Sequence, residues 1–210
     1  MYLSRLKLNP RQRSTRELYL SPYLLHQAVF QVFPDRREGG PGRVLYRLDA
    51  DHQGYSNLLV QSEKKPDWNK AAMLQQTLLD PAACREYSPK FYQGQALYFK
   101  LRANPSVKKQ AEDRKNGFRL GLFGEDKQLA WLQNKANRGG FSLIHRRVIP
   151  EGIIRDKKAT ESGKLSHYSV CFEGILAVNN PEAFLKTLEN GIGPAKGFGF
   201  GLLSVAPVKS

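Results

Sequence analysis

The sequence predicts an α+β protein made of two tandem ferredoxin-like units, each βαββαβ, with a glycine-rich loop near the C-terminus. Three observations predict it. The first half opens strand, helix, strand, strand. The second half reads strand, helix, two short strands or a hairpin, strand, helix, strand. The length of 210 residues suits two such units. The expected domains are residues 1–90 and 91–210. No residue-level repeat accompanies the repeated topology.

Residues 2–8 predict a strand, because Leu6 and Leu8 share one face and Arg5 and Lys7 the other. A basic loop with Arg11, Arg13 and Arg16 is expected next. Ser21-Pro22 opens a helix, with Ser21 as N-cap and Pro22 in the first turn. Its apolar stripe is Leu25, Ala28, Val29 and Val32, and it should end near Phe33, before Pro34 and Gly39-Gly40-Pro41-Gly42. Strands follow over about 43–49 and 56–61. Asp67 can cap a short helix through Leu74, and Pro81 and Pro89 break any longer element.

Residues 95–103 alternate, with Leu97, Phe99 and Leu101 against Tyr98, Lys100 and Arg102, which predicts a strand. The polar, basic stretch 106–117 is expected to be a loop. Residues 125–138 predict a helix with Leu129, Leu132 and Ala136 inward, ended by Gly139. Strands are expected over 141–144 and 148–155, then a charged turn, then a strand from 165 that bends at Gly174 and continues to 178. Asn180-Pro181 caps a helix to Asn190, Gly191 ends it, and a last strand covers about 200–206.

Charge narrows the function. Lysine and arginine number 33 and aspartate and glutamate 19, so the formal charge is 33 − 19 = +14. Residues 1–105 hold 16 basic and 9 acidic residues and residues 106–210 hold 17 and 10, which is +7 each. An excess spread through a folded chain points to a polyanion, with nucleic acid first and an anionic membrane surface second. Apolar residues make up 40%, enough for a core, and no apolar run approaches a membrane span. The alternating, charged start is unlike a signal peptide. Cys84 and Cys171 form neither a disulfide framework nor a metal-ligand pair, which fits a reducing, cytoplasmic setting.

Several chemistries lack their motifs. There is no G-x-x-x-x-G-K-[ST] loop, no H-E-x-x-H and no paired C-x-x-C, and histidines 26, 52, 145 and 167 are scattered. No metal or cofactor is expected. The strongest local signal is Gly191-Ile192-Gly193-Pro194-Ala195-Lys196-Gly197-Phe198-Gly199-Phe200-Gly201. It runs from helix to strand, opposite to a dinucleotide loop. Gly193, Gly199 and Gly201 would let the backbone approach a phosphate chain, with Lys196 adding charge. A tight structural loop needing positive φ explains the same glycines.

This loop resembles the glycine-rich loop of repeat-associated CRISPR proteins. Met1-Tyr2-Leu3-Ser4-Arg5-Leu6, Asn9-Pro10, Pro22-Tyr23-Leu24-Leu25-His26, Leu101-Arg102-Ala103-Asn104-Pro105 and Phe172-Glu173-Gly174 agree in order and spacing. Together they resemble the CasE family, the CRISPR repeat endoribonucleases of type I-E Cascade, over nearly the whole chain. The resemblance implies a metal-independent ribonuclease that cuts each repeat of the precursor transcript at the base of its hairpin. It implies a 2′,3′-cyclic or terminal phosphate and a 5′-hydroxyl as ends. It also implies retention on the mature guide RNA beside other Cascade subunits, with no membrane and no small-molecule cofactor.

Matched to the family motif, His26 is the catalytic acid or base and Tyr23 its orienting or stabilising neighbour. Their spacing of three puts both on one helical face. Taken without the family, His26 also reads as a partly buried helix histidine. The charged turn of residues 155–164 reads alone as a solvated hairpin tip. In the family a basic hairpin here enters the groove of the RNA stem, which makes Arg155, Lys157, Lys158 and Lys164 candidate RNA contacts, with Lys164 a candidate near the scissile phosphate. Arg102, Lys108, Lys109 and Lys196 are further RNA candidates, and His167 a lesser one that also fits a solvent-facing strand position. Asp156 and Glu161 dilute the turn's charge. The alternative function is a non-catalytic RNA scaffold of the same fold; a DNA- or membrane-surface-binding module is third.

Overall fold

Strand β1 (Tyr2–Leu8) buries Ser4, Leu6 and Leu8 and turns Arg5 away from the core, as its alternation requires. The computed structural model describes residues 1–35, 37–50, 54–110, 118–155 and 166–208. The chain divides into two compact units, each α+β with antiparallel strand pairing.

The first unit holds Met1–Ser88, Arg155, Ser166 and Lys196–Gly199. After β1 come helices α1 (Arg13–Leu20) and α2 (Pro22–Phe30), strands β2 (Val44–Ala50) and β3 (Ser56–Ser62), a 3-10 turn at Trp68–Lys70, the one-turn helix α3 (Ala72–Gln75) and strand β4 (Ala83–Glu86). The sheet order is β2-β3-β1-β4. Leu25 and Val29 of α2 pack with Leu6, Leu8, Tyr46, Leu58 and Val60 in one core.

Two elements here differ from expectation. Residues 13–20 are helical rather than a loop. The Arg13–Glu17 pair closes at 3.0 Å across one turn, and Thr15 and Leu18 are the only buried side chains. So narrow an inward stripe carries little apolar periodicity. Strand β4 was not expected at all. All four of its residues are exposed, so no alternation marks it, and it is held by backbone pairing of Ala83–Glu86 with Tyr2–Arg5.

The second unit holds Pro89–Ile154, His167–Ala195 and the chain from Phe200 onward. Its elements are β5 (Ala96–Ala103), β6 (Ser106–Lys109), β7 (Phe118–Gly121), α4 (Glu125–Arg138), β8 (Phe141–Arg155), β9 (Ser166–Val178), α5 (Pro181–Asn190) and β10 (Leu203–Pro207), while the 3-10 turn at Lys196–Phe198, between α5 and β10 in the chain, belongs to the first unit. The main sheet runs β10-β5-β9-β8. Counting only sheet strands in chain order, both units share the order second, third, first, fourth. Phe99, Leu101, Trp131, Leu132, Phe172 and Phe184 centre the second core.

The stretch expected as a loop at 106–117 begins as a strand: β6 pairs with β7 in a two-stranded ribbon, Val107 opposite Leu120 and Lys108 opposite Arg119. The two strands expected at 141–144 and 148–155 are one strand of 15 residues. His145-Arg146-Arg147 is exposed and polar enough to read as a turn, yet the backbone continues. Among the described residues, no helix is long and apolar enough to cross a membrane.

Candidate active site

The local sequence fixes where His26 sits. Ser21 ends α1, and its Oγ accepts the Leu24 N–H at 3.2 Å, capping α2, with Pro22 in the first turn. His26 therefore lies one turn inside a helix whose start is set by two adjacent residues. The 3-10 turn at Lys196–Phe198 belongs to the same unit and meets that helix.

The His26 ring is held from the turn. Its Nδ1 lies 2.8 Å from the Gly197 carbonyl oxygen. A carbonyl only accepts, so Nδ1 must carry the proton and donate it. In the neutral ring Nε2 then keeps its lone pair. Phe30, one turn further along α2, stacks at a tilt with centroids 4.1 Å apart, and Phe198 flanks the ring at 6.1 Å. Burial of the half-buried ring pulls its pKa below 6.5, opposed in part by the Gly197 hydrogen bond. The ring is mainly neutral at neutral pH. Next to it is an open concavity of about 530 Å³ lined by Leu24, His26, Gln27, Phe30, Gln31 and Met73.

Tyr46 was not among the residues expected from sequence. It is fully buried in β2, and its hydroxyl donates to the same Gly197 oxygen at 2.6 Å. Burial pushes the phenol pKa far above its ordinary value, so it stays protonated. A tyrosine inside an apolar strand gives no signal beyond core packing. Only the partner of its hydroxyl, a residue in a loop 151 positions away, reveals more.

Tyr23 precedes His26 by three residues and is 36% exposed. Its hydroxyl accepts from Gln27 Nε2 at 3.1 Å. The other candidates separate by unit. Lys196 lies on the 3-10 turn, half-buried, far from His26 in the chain but in the same unit. Arg155 is exposed at the end of β8. Lys157, Lys158 and Lys164 lie outside the described residues, as do Asp156 and Glu161.

In the second unit, Arg102 is clamped by Glu151 through Nε–Oε2 at 2.7 Å and Nη2–Oε1 at 2.8 Å, and Ser169 Oγ donates to the same Oε2 at 2.5 Å. That bidentate pair ties up much of the guanidinium. Lys108 and Lys109 are exposed on the β6–β7 ribbon. His167 is half-buried rather than solvent-facing: the Asn104 amide donates to its Nδ1 at 3.1 Å, and burial lowers its pKa.

The glycines divide by what they touch. Gly199 has φ +83°, and a Cβ there would lie 3.4 Å from Tyr46 Cε2, in ordinary contact. Gly193 has φ +84°, and a Cβ there would meet Trp131 at 3.0 Å. Gly201 is buried; its N–H donates to Arg102 O at 2.8 Å and its O accepts from Ile192 N at 2.9 Å. The tight-loop explanation therefore accounts for the geometry of these three. Among the described residues, no three His, Cys, Asp or Glu side chains gather where they could hold a metal ion.

Comparisons with known proteins converge. The family model described as CRISPR associated protein matches residues 1–207. The CRISPR-associated endoribonuclease Cse3 of Thermus thermophilus is 34% identical over 223 aligned positions, covering 99% of this chain and 100% of the relative. The CRISPR system Cascade subunit CasE of Escherichia coli is 32% identical, covering 89% of this chain and 92% of the relative. The structure of Thermus thermophilus Cse3 bound to an RNA representing a pre-cleavage complex superposes with a TM-score of 0.82 at 32% identity, covering 98% of each chain.

Proposed function

The chain belongs to the CRISPR associated protein family, and from that premise we propose that it is a metal-independent endoribonuclease that cleaves CRISPR precursor RNA within each repeat. It acts at the base of the repeat hairpin, in the cytoplasm, and stays on the mature guide RNA with other Cascade subunits. Its relatives, an endoribonuclease and a Cascade subunit, support both parts. The repeated strand order of the two sheets supports reading the units as two ferredoxin-like domains, 1–90 and 91–210.

The observation that carries the catalytic reading is the His26–Gly197 contact. It fixes the proton on Nδ1 and presents Nε2 as a base. Nε2 takes the proton of the 2′-hydroxyl. The 2′-oxygen attacks phosphorus as the P–O5′ bond breaks, giving a 2′,3′-cyclic phosphate. The departing 5′-oxygen takes a proton from solvent and leaves as a hydroxyl, and the proton held on the imidazolium returns to solvent. Tyr23, one turn away on the same helix, orients the scissile group or donates to it. Lys196 supplies positive charge toward the phosphorane, and the exposed Lys108, Lys109 and Arg155, with Lys157, Lys158 and Lys164, engage the RNA backbone. Arg102 contributes less direct contact while Glu151 holds it. Gly193, Gly199 and Gly201 shape the loop that carries Lys196. Positioning and electrostatics supply the rest of the acceleration.

The direct test incubates the protein with its cognate repeat hairpin in excess EDTA. Cleavage should persist, and it should vanish when the nucleotide before the cut is 2′-deoxy. A metal requirement would sink the proposal. The pH profile tests the role of His26. With Nε2 as base, kcat/KM should rise with unit slope as pH climbs and level off at a pKa below 6.5, because burial favours the neutral ring. A rate that instead falls through that pKa would make His26 the acid.

A further inference from the structure

We propose that Tyr46 is a positioning residue for His26, acting through the Gly197 carbonyl. The inference rests on the endoribonuclease reading for its kinetic part alone. Two donors converge on one oxygen: His26 Nδ1 at 2.8 Å and the Tyr46 hydroxyl at 2.6 Å. A carbonyl oxygen has two lone pairs and can accept both. The two donors differ in rigidity. His26 is half-buried on a helix face, whereas Tyr46 sits fully buried in the middle of β2, backbone-paired with Val60 of β3.

The tyrosine is thus the stiffer anchor. Its hydroxyl ties the 3-10 turn, through the Gly197 oxygen, to a fully buried strand residue. The turn in turn selects the His26 tautomer. A free imidazole side chain favours the proton on Nε2, which would leave no base there for a 2′-hydroxyl. Only a carbonyl kept in place at Nδ1 reverses that preference. The phenol is suited to the task because it stays a donor at every working pH.

The test is Tyr46→Phe, which removes one oxygen and keeps the buried ring. Nitrogen-15 NMR of the histidine side chains reads the tautomer without any substrate. The unsubstituted protein should show His26 with Nδ1 protonated, and Tyr46→Phe should show a growing Nε2–H population. Single-turnover cleavage should slow about tenfold, the rate equivalent of one hydrogen bond, with hairpin affinity unchanged. A merely structural role would lower the melting temperature and leave the His26 tautomer alone. An unchanged tautomer together with a rate within about twofold of the unsubstituted protein overturns the proposal. A tautomer change in a protein that never cleaves the hairpin upholds the positioning role and fails the endoribonuclease reading instead.

Discussion

His26→Ala should slow cleavage of the repeat hairpin about 10²–10⁴-fold, the usual worth of one positioned acid–base group. Hairpin affinity should change little, because binding comes mostly from basic side chains on phosphates. The variant should also stay folded. His26 is half-buried, and the Gly197 oxygen it abandons still accepts from Tyr46 at 2.6 Å. His26→Gln sharpens the result. Glutamine can donate an amide N–H toward Gly197 but offers no base of useful pKa, so it should be nearly as slow as alanine. Single-turnover rates at saturating protein, with hairpin binding measured alongside, separate these effects. Full activity in His26→Ala would refute the site.

Much of this site can be read from residue types. Ser21-Pro22 announces the start of α2, and the family motif puts Tyr23 and His26 on its first turns. The glycine run announces a sharp backbone path. What the sequence does not disclose is the partner of each group. Tyr46 lies in Val44-Leu45-Tyr46-Arg47-Leu48, a run buried throughout, and its ring reads as core. The hydroxyl matters because it reaches a loop oxygen far along the chain, which no local pattern encodes. Arg102 is the converse case. Its place at the end of a basic strand reads as an RNA contact, while Glu151, 49 residues away, holds it in a bidentate pair. Formal charge counted along a chain overstates the charge offered to a polyanion wherever such pairs form.

The fold follows the same rule. Elements with a full apolar stripe were legible: helix α4 spans Glu125–Arg138 as its periodicity requires, and β1 and β5 follow their alternation. Elements held by backbone pairing or by a thin stripe were not. Strand β4 buries none of its side chains, and α1 buries two. The 3-10 turn at Lys196–Phe198 is the most instructive. It sits in a glycine-rich run inside the second half of the chain and yet belongs to the first unit, beside His26. Chain position alone would assign it to the other half.

Gly174→Ala should be the most damaging single-methyl change in the second unit. Gly174 lies mid-way along β9, opposite Phe99 of β5, with φ +156°. A Cβ there would fall well inside contact distance of the His145 carbonyl oxygen and within 2.7 Å of its carbon and 2.9 Å of Arg146 Cα. These are backbone atoms of the neighbouring strand β8, so no side chain can swing aside. One strand would have to leave the other or the ladder would have to slip. The cost should be about 3 kcal/mol or more, or roughly 6–12 °C in melting temperature for a chain of this size. Gly152→Ala provides the control. That glycine, in β8, has φ +90° and nothing within 4 Å of an added Cβ. It carries only the conformational strain of a positive φ, about 1 kcal/mol. Thermal unfolding of the two variants should therefore separate steric cost from conformational cost. If Gly174→Ala melts no lower than Gly152→Ala, the close approach of β8 to β9 at His145 is wrong. The same measurement bears on the bend expected at this position from the sequence. A glycine that merely eased a bend would tolerate alanine, whereas one that admits a neighbouring backbone would not.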